Sequence, residues 1–172
     1  MKRTTILSLF LSLGLLAASA VQAAVIQFTV DLSGLNENPP VTTPGHGSAL
    51  IDIDTVTRLM TLDVTFADLL GLTTAAHIHC CAAPPTNAPV ATQVPTFIGF
   101  PLGVSSGSYQ NTFDMTLASS YNPNFILQHG GTVDSAFADL LAGMLQGMAY
   151  LNIHTTLFGG GEIRGTLTRV VP

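Results

Sequence analysis

Residues Ala149–Gly165 read AYLNIHTTLFGGGEIRG. Two runs of alternating residue type flank a glycine-rich turn, which is the pattern of two paired strands. Side chains along a strand point to opposite faces in turn, so Tyr150, Asn152 and His154 share one face while Leu151 and Ile153 take the other. One face is built to pack and the other presents polar groups. Beyond the turn, Glu162 and Arg164 stand two apart and share a face as well. The same alternation runs through TTAAHIHCC, Thr73–Cys81, where His77 and His79 project together and Ile78 opposes them.

Outward from these two segments the chain keeps alternating. In Val25–Ser33, Ile26, Phe28, Val30 and Leu32 alternate with polar residues, the signature of a half-buried strand. The stretch Gly34–Gly45 carries three prolines and reads as a loop. Gly47–Asp54 and Arg58–Phe66 form a hairpin in this reading, turning at Asp54–Thr57. Ala82–Pro101, rich in proline, cannot continue a ladder and reads as a long surface loop. Gly107–Leu117 is a further strand. Two helical pieces follow: a short one with Asn122 as N-cap, Pro123 at its first position and Gly130 as its stop, and a longer one over Asp134–Gln146. Phe137, Leu140, Leu141 and Met144 give the longer helix its core face. Strands return at Met148–Thr156 and Glu162–Val170. Seven or eight short strands with one helical insertion before the last pair predict an all-β antiparallel β-sandwich, and a closed barrel fits the pattern too.

Lys2 and Arg3, an apolar run over Ile6–Ala18 and small residues at Val21 and Ala23 make residues 1–23 a secretory signal peptide in this reading. Residues 24–172 are then a single domain, placed in the periplasm or outside the cell with no transmembrane anchor in the mature chain. The formal net charge is −5. Without Lys2 and Arg3, three arginines (Arg58, Arg164, Arg169) face ten acidic residues, a net of −7. That balance makes nucleic acid and anionic membrane surfaces poor partners, and no nucleic-acid partner is expected. The two cysteines, Cys80 and Cys81, are neighbours, so they cannot staple distant parts of the chain.

His77 and His79 offer two imidazoles from one strand face, and His154 on a second strand supplies a third. Parity also lets Cys81 join them if the strand runs that far. Such donors suit copper or zinc. The alternative is a structural polar layer in which the three histidines bond to backbone or to neighbouring side chains. His46 and His129 stay outside the candidate site. Glu162 and Arg164 either pair with each other, clamp the loop that carries Glu37, or, in the case of Glu162, orient the His154 ring. Glu37 reads as an acceptor that fixes its loop. No serine or cysteine sits in a nucleophile elbow, no phosphate loop follows a strand, and no carboxylate pair suggests glycoside hydrolysis, so no catalytic residue is named.

Three ordered motifs, LSGLNENPPV at Leu32–Val41, TAAHIH at Thr74–His79 and YLNIHTTLFGGGEIRG at Tyr150–Gly165, make the chain resemble the CHRD domain family. The resemblance implies an immunoglobulin-like sandwich in an exported protein whose biochemical role is unassigned. Two features depart from the family pattern: Cys80 and Cys81 stand where relatives commonly have a glycine after HIH, and Ala82–Gly107 is longer than the minimal pattern. Some bacterial relatives continue after GEIRG into a sorting tail. Here Val170, Val171 and Pro172 follow, which leaves release without an anchor or a longer parent chain as the two expectations. The HIH strand is also similar to the copper-binding strand of superoxide-dismutase-like sandwiches, although the bridging histidine, zinc subsite and distant cysteine pair have no counterpart. The sequence supports two functions: a non-enzymatic secreted module binding an unassigned protein or extracellular ligand, and a copper- or zinc-binding redox protein using His77, His79 and His154.

Overall fold

Along β1 (Val25–Ser33), Phe28, Val30 and Leu32 are buried while Thr29 and Asp31 are exposed, as the alternation requires. The computed structural model describes residues 25–171; the signal peptide read at residues 1–23 lies outside them. After β1 come β2 (His46–Asp54), β3 (Leu59–Ala67), β4 (Thr73–Cys80) and β5 (Gly107–Asp114). Helices α1 (Pro123–Gln128) and α2 (Val133–Leu145) precede β6 (Ala149–Thr155), β7 (Ile163–Thr166) and β8 (Thr168–Arg169). The strands form one antiparallel sheet in the order β4-β6-β7-β1-β2-β3-β5, with β8 paired to β1.

Residues from every strand but β8 enter one apolar core: Phe28, Ile51, Leu62 and Phe113 from one half of the sheet, Ile78, Leu151 and Ile153 from the other. The sheet therefore curls around a shared interior, consistent with the all-β sandwich read from the pattern. Helix α2 closes this interior with Phe137, Leu140 and Met144. Its Gly143 faces the sulfurs of Cys80 and Cys81, where a side chain would collide with them. The first helix starts as expected, with the Asn122 side chain accepting from the Asn124 amide and Pro123 at the first position; α2 begins at Val133, where Thr132 and Ser135 form a capping box.

Two expected strands come out shorter. The strand from Gly107 stops at Asp114, whose carboxylate turns back onto the Thr116 amide and hydroxyl. The last strand, expected over Glu162–Val170, breaks at Leu167. There the side chain enters the core and the amide bonds Ala149, after which β8 moves from β6 across to β1.

Strand β4 has β6 on one side only, and its other edge is covered by the 82–101 segment. Cys80 donates to Pro89 O, Ala91 donates to Ile78 O and Phe97 donates to Ala76 O. Thr92 and Thr96 receive the Ile78 and Ala76 amides on their hydroxyls. The proline-rich loop thus runs along the edge as an irregular substitute strand, closing groups that would otherwise invite another chain.

Gly165 is the tightest crossing of the sheet, where β7 meets β1. A methyl there would run into the Asp31 carbonyl and Val30 Cγ1, both held by strand pairing. Gly165→Ala should lower unfolding free energy by about 2–4 kcal/mol in chemical denaturation, with the far-ultraviolet spectrum retained. A loss under about 0.5 kcal/mol would show that β1 and β7 can separate at no cost.

Candidate metal centre

On β4 and β6 both faces are buried. The inward set, Ala76, Ile78, Leu151 and Ile153, belongs to the core. The other set contains His77, His79, Tyr150, Asn152 and His154, brought side by side by the pairings His77↔Asn152, His79↔Tyr150 and Ala75↔His154. One ring nitrogen from each of His77, His79 and His154 lies within 4.8 Å of the others. The ring centres are 5.1 Å apart for His77–His154, 5.7 Å for His79–His154 and 5.9 Å for His77–His79.

Each ring is fixed by one backbone carbonyl from a covering loop. His77 Nε2 donates to Pro95 O at 2.7 Å, His79 Nδ1 to Ala88 O at 2.9 Å and His154 Nδ1 to Gly159 O at 3.0 Å. A carbonyl only accepts, so each bonded nitrogen carries the proton and the opposite nitrogen keeps a lone pair. Those opposite atoms, His77 Nδ1, His79 Nε2 and His154 Nε2, are buried without a protein hydrogen-bond partner. Burial lowers the proton affinity of all three rings, holding His77 and His79 at about 4, so they are neutral near pH 7. Three neutral imidazoles with lone pairs free, each oriented through its other nitrogen, are a donor set that copper or zinc accepts.

The CHRD domain family model matches residues 28–167, a span that contains all three motifs. The chain belongs to the CHRD domain family. No curated protein and no solved structure matches it.

In this CHRD domain Arg164 is a clamp beside the histidines. Its Nε donates to Asn36 O, Nη1 to Asn87 Oδ1 at 2.6 Å and Nη2 to Pro85 O at 2.9 Å, tying the 34–45 and 82–101 loops to β7. The guanidinium lies over the Tyr150 ring, 4.6 Å from its centre, and Tyr150 stacks on His79 at 4.9 Å. Glu37 Oε2 is 3.8 Å from Arg164 Nε, while Glu37 Oε1 is buried without a partner. Glu37 therefore does not act as the loop-fixing acceptor expected of it. Burial pushes its carboxyl up to about 7 against the pull of Arg164.

Glu162 is fully buried and turned to other work. Thr43 and Thr155 hydroxyls and the Leu70 and Gly71 amides all donate to its carboxylate, at 2.6–3.0 Å. Burial alone would raise its pKa, and the four donors outweigh it, leaving the carboxyl below its usual value. No histidine is among its partners, so the role of orienting His154 falls to Gly159 instead. Cys81 does not join the histidine stripe. Strand β4 ends at Cys80, and the Cys81 sulfur is bonded to Cys80 on the side of α2, so no thiolate is available. His46 is exposed beside Pro44 O, and His129 bonds Asp139 and stacks on Phe125. Alternation puts Tyr150 on the face of His154, but its stacking on His79 and the three carbonyls have no signature in the sequence.

The raised Glu37 carboxyl has a consequence for stability. A group whose folded pKa exceeds its unfolded value stabilises the fold most below the unfolded value, here near 4.5, and that stability is lost as pH rises through about 7. Glu37→Gln removes this loss, so the variant should gain on the wild type by on the order of 2 kcal/mol between pH 5 and 8. Parallel curves of unfolding free energy against pH for the two proteins would refute it.

Proposed function

We propose that this CHRD-domain protein is an exported, non-catalytic module that binds one transition-metal ion through His77, His79 and His154, with copper or zinc as the candidate ions. The observation that carries the reading is the pairing pattern of three adjacent rings: each spends one nitrogen on a loop carbonyl and leaves the other buried and unpaired. A purely structural polar layer accounts for one nitrogen of each ring. It leaves three buried acceptors unsatisfied, and each such group costs about 1–3 kcal/mol.

The donors also lie close enough. If the sides of the donor triangle were all 4.8 Å, its centre would lie about 2.8 Å from each corner. Closing to an ordinary metal–nitrogen bond of about 2.0–2.1 Å takes less than ~1 Å of movement per ring. A binding role rather than catalysis fits the burial, since donor atoms sealed beneath loops leave a substrate no route to the ion. Export fits the leader read at residues 1–23. Among the described residues no helix is long and apolar enough to cross a membrane.

Metal content decides the matter. Protein exported, purified without a histidine tag and analysed by plasma mass spectrometry should carry about one copper or zinc per chain. His77→Ala and His154→Ala should each abolish this without loss of β-structure by circular dichroism. Added metal at about 100-fold its dissociation constant should raise unfolding free energy by about 2.7 kcal/mol in the wild type and not in either variant. Metal-free protein that takes up no copper or zinc would leave the three nitrogens to share a water, and the proposal would fail.

A further inference from the structure

We infer that the three-histidine site selects the monovalent copper ion over zinc and divalent copper. The inference rests on the metal-binding reading above and adds the valence of the ion. Three observations support it: the charge of the donors, their burial, and the charged groups around them.

The donors bring no negative charge. Among the described residues no carboxylate and no cysteine sulfur joins the histidine group. The hydrogen-bond acceptors behind the rings are also neutral, being the carbonyls of Pro95, Ala88 and Gly159. Divalent ions in protein sites commonly draw compensation from anionic ligands or from carboxylates behind the histidines. Here a dication would keep its full charge, whereas a monocation leaves half as much to stabilise.

Burial sharpens that difference. The three unpaired nitrogens are closed off from solvent, so a bound ion gives up its water. The cost of removing an ion from water grows with the square of its charge, so a dication loses about four times as much as a monocation of similar size. Coordination number points the same way. Zinc takes four ligands and divalent copper prefers a tetragonal set. With three protein donors zinc completes its set with a water, which these sealed nitrogens do not admit, whereas monovalent copper is stable with three ligands.

The surroundings are positive or neutral. Arg164 is stacked over Tyr150, the ring that lies flat on His79, so the fixed charge nearest that side of the site is positive. Its neighbour Glu37 is ionised only in part near neutrality. Glu162 has its charge absorbed by four donors on Thr43, Leu70, Gly71 and Thr155.

The test is a competition on metal-free, full-length exported protein, with monovalent copper titrated under anaerobic conditions against a chromophoric copper(I) chelator. Zinc and divalent copper are titrated against chelators of their own. Monovalent copper should bind one per chain and more tightly than either divalent ion by about 100-fold or more. Zinc or divalent copper binding as tightly as monovalent copper, or more tightly, would overturn the valence assignment while leaving the metal site standing. If none of the three binds, the metal site itself falls, and the inference with it. Glu37→Gln at pH 8, which leaves the Arg164 charge uncompensated, should widen the preference for the monovalent ion over zinc by several-fold; a narrowed preference would overturn the electrostatic argument.

Discussion

The unpaired edge of β4 is the constraint on which the rest of this structure depends. A strand with one neighbour leaves a row of amides and carbonyls that must be satisfied or exposed. Here the 82–101 segment satisfies them, through the backbone of Pro89, Ala91 and Phe97 and the hydroxyls of Thr92 and Thr96. Covering the edge also lays the loop over the polar side of the strand. The Ala88 and Pro95 carbonyls then reach His79 and His77, so one set of contacts both closes the sheet and chooses the histidine tautomers.

Arg164 holds that arrangement from the other side. In a domain with few charges, one buried guanidinium joins β7 to two separate loops through Asn36, Pro85 and Asn87. Breaking a buried, well-bonded charge of this kind costs more than forming it returns, so its value lies in specifying how the loops sit. The partner carboxylate of Glu37 is too poorly hydrogen-bonded to be a simple salt-bridge half. Burial raises its pKa, and the pull of Arg164 only partly offsets it.

Much of the fold was legible because strand parity is local. The inward sets of β1, β2, β3 and β6 follow directly from alternation, and the start of the first helix follows from Asn122 and Pro123. The candidate site was legible in part for the same reason: parity places His77 with His79 and His154 with Asn152. Cys81 shows the limit, since parity permits it in the stripe while a bond to its neighbour Cys80 takes its sulfur away. Glu162 shows another limit. Its two-residue spacing from Arg164 suggested a shared task, yet its four donors come from Thr43, Leu70, Gly71 and Thr155.

The sequence by itself determined which residues alternate, which faces they share and which family the motifs mark, because these depend on spacing along one chain. Only the tertiary structure decided that the polar face of β4 and β6 is buried, that β4 and β6 are neighbours, and that loop carbonyls choose the free nitrogen of each histidine. Those are contacts between residues up to 82 positions apart, as for Thr73 and Thr155. Their energetics turn on which groups lose water when the chain folds, and no local pattern records that.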